Sequence, residues 1–103
     1  MSSAYVLSKA AVADLRQIVR YTRQQWGHGQ VLSYMHQLQT SITRLAANPS
    51  VGKDLSDLYP GLRVLHCQHH YVFCLPREVA PLLVIAIFHE RMDLMARLAH
   101  RLQ

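Results

Sequence analysis

The sequence predicts an α+β fold in the order β-α-α-β-β-β-α, an N-terminal helical hairpin packed on a small antiparallel-rich sheet with a C-terminal helix. Three observations predict it. Apolar residues recur at helical spacing through two successive segments parted only by Gly27-His28-Gly29. Residues 61–88 read instead as extended segments divided by turns, the last being the unbroken apolar run Leu82 to Phe88. Asp93 then opens a final amphipathic stretch.

Taken in order, Ala4 to Leu7 is a short apolar run and the first strand. Ser8 is an N-cap, its hydroxyl able to accept from the free amides of a first helical turn. Ala11, Val12, Leu15, Ile18, Val19, Thr22 and Trp26 form one buried stripe on a helix over residues 9–25, with Lys9, Asp14, Arg16, Arg20 and Arg23 on its other face. A second stripe, Val31, Tyr34, Met35, Leu38, Ile42, Leu45 and Ala46, ends at Asn48-Pro49. So short a break predicts an antiparallel hairpin of helices, each about 25–30 Å long.

Residues 50–60 are polar and turn-rich and read as a loop. Gly61 to Cys67 and His70 to Leu75 are strands around a tight turn at Gln68-His69, and residues 76–81 form a second turn. Leu82 to Phe88, apolar throughout, predicts a strand covered on both faces in the middle of the sheet. On the last helix, Leu94, Met95, Leu98 and Leu102 fall on one side and Arg97, His100 and Arg101 on the other. No linker, repeat or low-complexity segment interrupts the chain, which reads as a single domain over residues 1–103.

Half of the 103 residues are hydrophobic and 17% are charged. A packed chain of this size buries only about 60–68% of its unfolded surface, which leaves apolar area for another chain to cover. A net charge of +5 favours an anionic partner without choosing among nucleic acid, acidic protein and acidic peptide. No segment reaches the ~18 apolar residues of a membrane span and none reads as a leader. The expected location is therefore cytoplasmic, with no membrane partner and with Cys67 and Cys74 reduced. His66, Cys67, His69, His70 and Cys74 lie close in sequence, but they lack the paired knuckles of structural zinc, so no metal and no cofactor is expected. A disulfide is not expected either, because Cys67 flanks the turn and Cys74 lies several residues along the other strand.

An ordered set of strings resembles the ParE branch of the RelE/ParE toxin superfamily. They are Tyr5-Val-Leu-Ser, Ala13-Asp14-Leu15-Arg16, Tyr21-Thr22 followed by Trp26-Gly27, and Leu45-Ala46 followed by Pro49. Gly61-Leu62-Arg63, His70-Tyr71-Val72-Phe73 and His89-Glu90-Arg91-Met92-Asp93 complete the set across nearly the whole chain. The stretches HHYVFCLPR and HERMDLMARLA are especially similar to ParE toxins of plasmid addiction systems. The resemblance implies the toxin of a type II toxin–antitoxin pair, which poisons DNA gyrase and is neutralised by a ParD-like antitoxin, in a heterotetramer or larger complex. It also implies that the antitoxin, not this chain, supplies sequence-specific DNA binding.

The alternative is a ribosome-dependent mRNA endoribonuclease of RelE type. That chemistry needs a general base, a proton donor and cations for the phosphorane charge. No tyrosine follows Tyr71, which departs from the ribonuclease pattern and favours a toxin that acts by binding, with no catalytic residues. Arg16, Arg20, Arg23, Trp26, Tyr34, Leu94 and Leu98 are the candidate antitoxin-binding residues. Arg63, His70, His89, Glu90, Arg91, Arg97 and Arg101 are the candidate gyrase contacts, with His89 and Arg91 the first catalytic candidates under the alternative.

Overall fold

The computed structural model describes residues 4–103. Ser8 ends strand β1 (Tyr5–Leu7) and starts helix α1 (Lys9–Trp26), its Oγ accepting from the Ala11 N–H at 3.1 Å. Gly27 alone joins α1 to α2 (His28–Ala47). Its φ of 88° and ψ of 175° lie in a region that is essentially closed to residues bearing a Cβ. Helix α2 ends at Asn48, whose side chain accepts from the Ser50 N–H of a short 3-10 turn (Pro49–Val51). After it come β2 (Lys53–Asp54), β3 (Arg63–Cys67), β4 (His70–Leu75) and β5 (Leu82–His89). Asp93 caps the last helix, α3 (Leu94–Arg101), by accepting from the Ala96 N–H.

The five strands form one mixed sheet in the order β1-β5-β4-β3-β2. β1 runs parallel to β5 and the other pairings are antiparallel. The hairpin of α1 and α2 covers one face, where Ile18, Leu38, Ile42 and Leu45 meet Val72, Cys74, Val84 and Ile87. Leu98 of α3 covers the other, over Phe73, Ala86 and Phe88. β5 is thus buried on both sides, which is what its apolar run requires. It is flanked by β1 and β4, so the geometric centre of the sheet is β4 rather than β5. Cys67 and Cys74 sit at opposite ends of the β3–β4 hairpin, opposite His70 and Arg63, as buried free thiols.

Four expectations need correction. Residues 50–60 are not loop throughout, because Lys53 and Asp54 pair with Val64 and Arg63 as a short edge strand. Trp26 does not belong to the buried stripe: it is 71% exposed, since the periodicity continues past the part of the sheet that would cover it. Met95 is exposed, while Leu94, Leu98 and Leu102 pack on the sheet. Asp14 and Arg101, both placed on outer faces by periodicity, point inward as a bidentate ion pair, with bonds of 2.9 and 3.0 Å and side chains only 14% and 24% exposed.

That pair has a structural reason. β1 ends opposite Val84, so the edge of β5 beyond it lacks a strand partner. The pairing of Phe73 with Ala86 and of Cys74 with Val84 leaves Ile85 as a bulge residue, which re-aims the following backbone groups. The Ile87 N–H donates to Asp14 Oδ2 at 3.0 Å, and the Ile85 carbonyl accepts from Arg101 Nη1 at 2.9 Å. Two side chains thereby complete an edge that backbone pairing leaves open.

Asp14→Ala and Arg101→Ala should each lower stability in urea denaturation by about 2–4 kcal/mol, because each strands the partner charge in a mostly buried place. The double variant should be less destabilised than the sum, by about 1–3 kcal/mol. The two glycines at the hairpin tip should part company. A Cβ meets nothing within 4 Å at either, yet Gly27→Ala should cost about 1–3 kcal/mol of backbone strain, and Gly29→Ala, inside α2, should be neutral or stabilising by up to about 1 kcal/mol.

Candidate functional site

A groove of about 530 Å³ opens where the tip end of the hairpin passes over the end of β5. Ile18, Tyr34 and Ile87, all buried, contribute to its lining, as do the exposed rings of Tyr21 and Trp26. Along its other side lie His69 and His70 from the β3–β4 hairpin, and His89, Arg91 and Met92 from the exit of β5. The Glu90 N–H donates to the His69 carbonyl at 2.8 Å, fixing the hairpin turn against that exit.

Burial raises the Tyr34 phenol far above its ordinary range, so it stays neutral and can donate to His70 Nδ1. Burial, with the neighbouring His89 and His69, pushes His70 down to about 4 against a smaller opposing effect of Glu90. A neutral His70 accepting at Nδ1 carries its proton on Nε2, a tautomer assigned from the hydrogen-bond network. His89 Nδ1 accepts from the Arg91 N–H at 3.1 Å. The edge of one imidazole meets the face of the other, with centroids 5.1 Å apart.

Glu90 is engaged by two other histidines. Its Oε1 accepts from His69 Nδ1 at 2.9 Å, and Oε2 lies 3.4 Å from His66 Nε2. The hydrogen bond from His69 is the main reason its carboxyl is held below the usual range. His66 in turn stacks on Tyr71 at 4.4 Å. Among the described residues, no group of three or more His, Cys, Asp or Glu side chains is placed to hold a metal ion.

The structure divides the candidate residues rather than gathering them. Trp26, Tyr34, His70, His89 and Arg91 share the groove, with Glu90 beside it. Arg16, Arg20 and Arg23 are exposed on α1. Leu94 and Leu98 pack beneath the opposite face of the sheet, Leu98 fully buried, so they do not join the others on one surface. Arg97 is exposed on α3, whereas Arg101 is taken up by Asp14. Arg63 donates to the Gly52 carbonyl at 2.7 Å and braces the segment leading to β2. Sequence reasoning passed over Tyr21 and Met92 as site residues. Their signal was present in two of the quoted strings, Tyr21 as an aromatic residue outside the apolar stripe of its helix.

His70 gives the fold a defined acid sensitivity. Its folded value near 4 lies below the ordinary 6.5, so the unfolded chain takes up the proton first and stability falls as pH drops from 6.5 towards 4. Glu90 adds its own loss only below its ordinary 4.5. Thermal melts should show Tm falling across the upper window, and His70→Asn, less stable at pH 7.5, should show a flatter profile there.

The family described as "ParE toxin of type II toxin-antitoxin system, parDE" matches residues 5–94. The chain is 57% identical over 101 residues to Toxin ParE of Escherichia coli, covering 98% of each. It is 39% identical over 93 residues to Toxin ParE1 of Mycobacterium tuberculosis, covering 90% of this chain and 95% of the relative. The fold also matches a solved chain described as "Chromosomal ParDE TA system from P. aeruginosa", with a TM-score of 0.67 and 18% identity, over 86% of this chain and 95% of the other. The strings quoted from the sequence and the α+β architecture lead to the same place: this chain belongs to the ParE toxin family of type II toxin–antitoxin systems.

Proposed function

We propose that this toxin acts by binding rather than by catalysis, that its target is DNA gyrase, and that a ParD-like antitoxin neutralises it. The observation that carries the reading is the near-full-length identity to Toxin ParE of Escherichia coli, combined with the gyrase activity that resemblance to ParE toxins implies. Site chemistry supports the absence of catalysis. His70 is a neutral acceptor bonded to Tyr34, and Glu90 is occupied by two histidines. Neither is free to serve as the base of a ribonuclease.

The antitoxin reading rests on charge and exposure. Arg16, Arg20 and Arg23 project from α1 without an acidic neighbour one turn away, and Trp26 and Tyr21 lie exposed at the same end of the hairpin. An acidic segment with apolar anchors, folding as it binds, suits that surface. Its complex with the toxin would be a heterotetramer or larger.

A ribonuclease reading draws on one observation, the convergence of His70, His89 and Arg91 on a single groove. One experiment separates the two. Purified gyrase and supercoiled plasmid are incubated with toxin alone and with toxin premixed with antitoxin. Linear DNA should accumulate only with free toxin. Untouched gyrase at excess toxin, together with cleavage of ribosome-bound mRNA that disappears in His89→Ala and Arg91→Ala, would overturn the proposal. Replacing Arg16, Arg20 and Arg23 together by alanine should slow antitoxin association by about tenfold at low salt, with a smaller difference at high salt, as measured by surface plasmon resonance.

A further inference from the structure

We propose that the groove is a nucleotide-binding site, with the phosphate held by Arg91 and the Nε2–H groups of His70 and His89, and the base lying on Trp26. The groove's volume of about 530 Å³ falls in the ~300–1,000 Å³ range of small-molecule sites. Its polar chemistry selects for an acceptor. The Arg91 N–H donates to His89 Nδ1, which leaves Nε2 as the donor of that ring, and the Tyr34 hydroxyl, which also reaches the Cys67 carbonyl at 3.5 Å, is hydrogen-bonded to His70 Nδ1. Arg91, one of the residues lining the groove, adds a permanent positive charge.

The two nearby carboxylates already have partners. Asp14 lines the groove but is satisfied by Arg101 and the Ile87 N–H. Glu90 is turned to His66 and His69. The opposite side of the groove supplies a stacking surface, because Trp26 is 71% and Tyr21 59% exposed while both line it. Aromatic faces left in water beside a cluster of anion donors match the two halves of a nucleotide, a planar base and a phosphate. A purely apolar peptide would leave the donors unanswered, inorganic phosphate would leave the rings bare, and the acidic antitoxin segment proposed above would compete with a nucleotide for Trp26 and Tyr21. Such binding does not depend on which target the toxin poisons.

Trp26 is the sole tryptophan of the chain, so its fluorescence reports the stacked base directly. Titration of the intact toxin with AMP and with GMP should give saturable quenching, absent with adenosine at equal concentration and reversed by excess inorganic phosphate. Arg91→Ala should weaken binding by about tenfold or more, while Arg97→Ala, an exposed arginine outside the groove, should leave it unchanged. Calorimetry on Trp26→Leu, checked for folding by circular dichroism, should show weakened binding without the optical probe. A 5′-phosphorylated single strand that binds more tightly than AMP, with the same dependence on Arg91, would assign the phosphate to a strand terminus; the reverse order would assign it to a free nucleotide. No saturable quenching by either nucleotide or strand up to about 1 mM, an equal response to adenosine, or equal weakening by the Arg91 and Arg97 variants would overturn the site.

Discussion

The ion pair between Asp14 and Arg101 is the contact on which the rest of the architecture depends. It joins α1 to the end of α3, and each partner also takes a backbone group of β5. A three-residue first strand cannot pair the whole edge of an eight-residue neighbour, and an open edge invites unwanted pairing. Here the open portion is finished by side chains instead of by another strand. The arrangement costs desolvation of two charges, which the bidentate geometry and the two backbone partners offset. A short terminal helix gains a fixed position from the same bonds, so α3 is held by more than the packing of Leu98.

Fixing α1 against β5 also determines what lies at the tip of the hairpin. Gly27 reverses the chain in a single residue, so Trp26 and Tyr34 come from adjacent helices to the same groove. The bulge at Ile85 resets the alternation along β5, which lets both Val84 and Ile87 reach the hairpin side. At the end of β5 the sequence His89-Glu90-Arg91 is held to the β3–β4 turn by a backbone bond and by the Glu90 carboxylate. Hydrophobic packing thus sets the position of the groove, and a polar network sets the orientation of its donors.

Membership of a toxin–antitoxin family suits a domain of this build. Its core is divided by the sheet into two modest clusters, and large rings stay in water at one corner. Exposed aromatic residues beside arginines are the usual composition of a binding hot spot. The acid-sensitive His70 sits at the base of that corner, so protonation would disturb the bond between α2 and β4 that supports the groove.

Much of the fold was legible because helices and strands record their buried faces locally. The spacing of Ile18, Leu38 and Leu45, the caps at Ser8 and Asp93 and the unbroken run of β5 each depend only on near neighbours. The ordered strings likewise carried the toxin family. The site was only half legible: Tyr34, His70, His89 and Arg91 were singled out, but nothing local showed that they face Tyr21 and Trp26 across a groove. Periodicity also placed Trp26 inside and Arg101 outside, and both positions reversed. A stripe cannot state where the sheet beneath it ends, and a helix face cannot announce a partner 87 residues away. The sequence alone determined the elements, their order and the family; the tertiary structure decided which charges are spent inside the fold and which rings are left in water, because those depend on contacts between segments that do not adjoin in the chain.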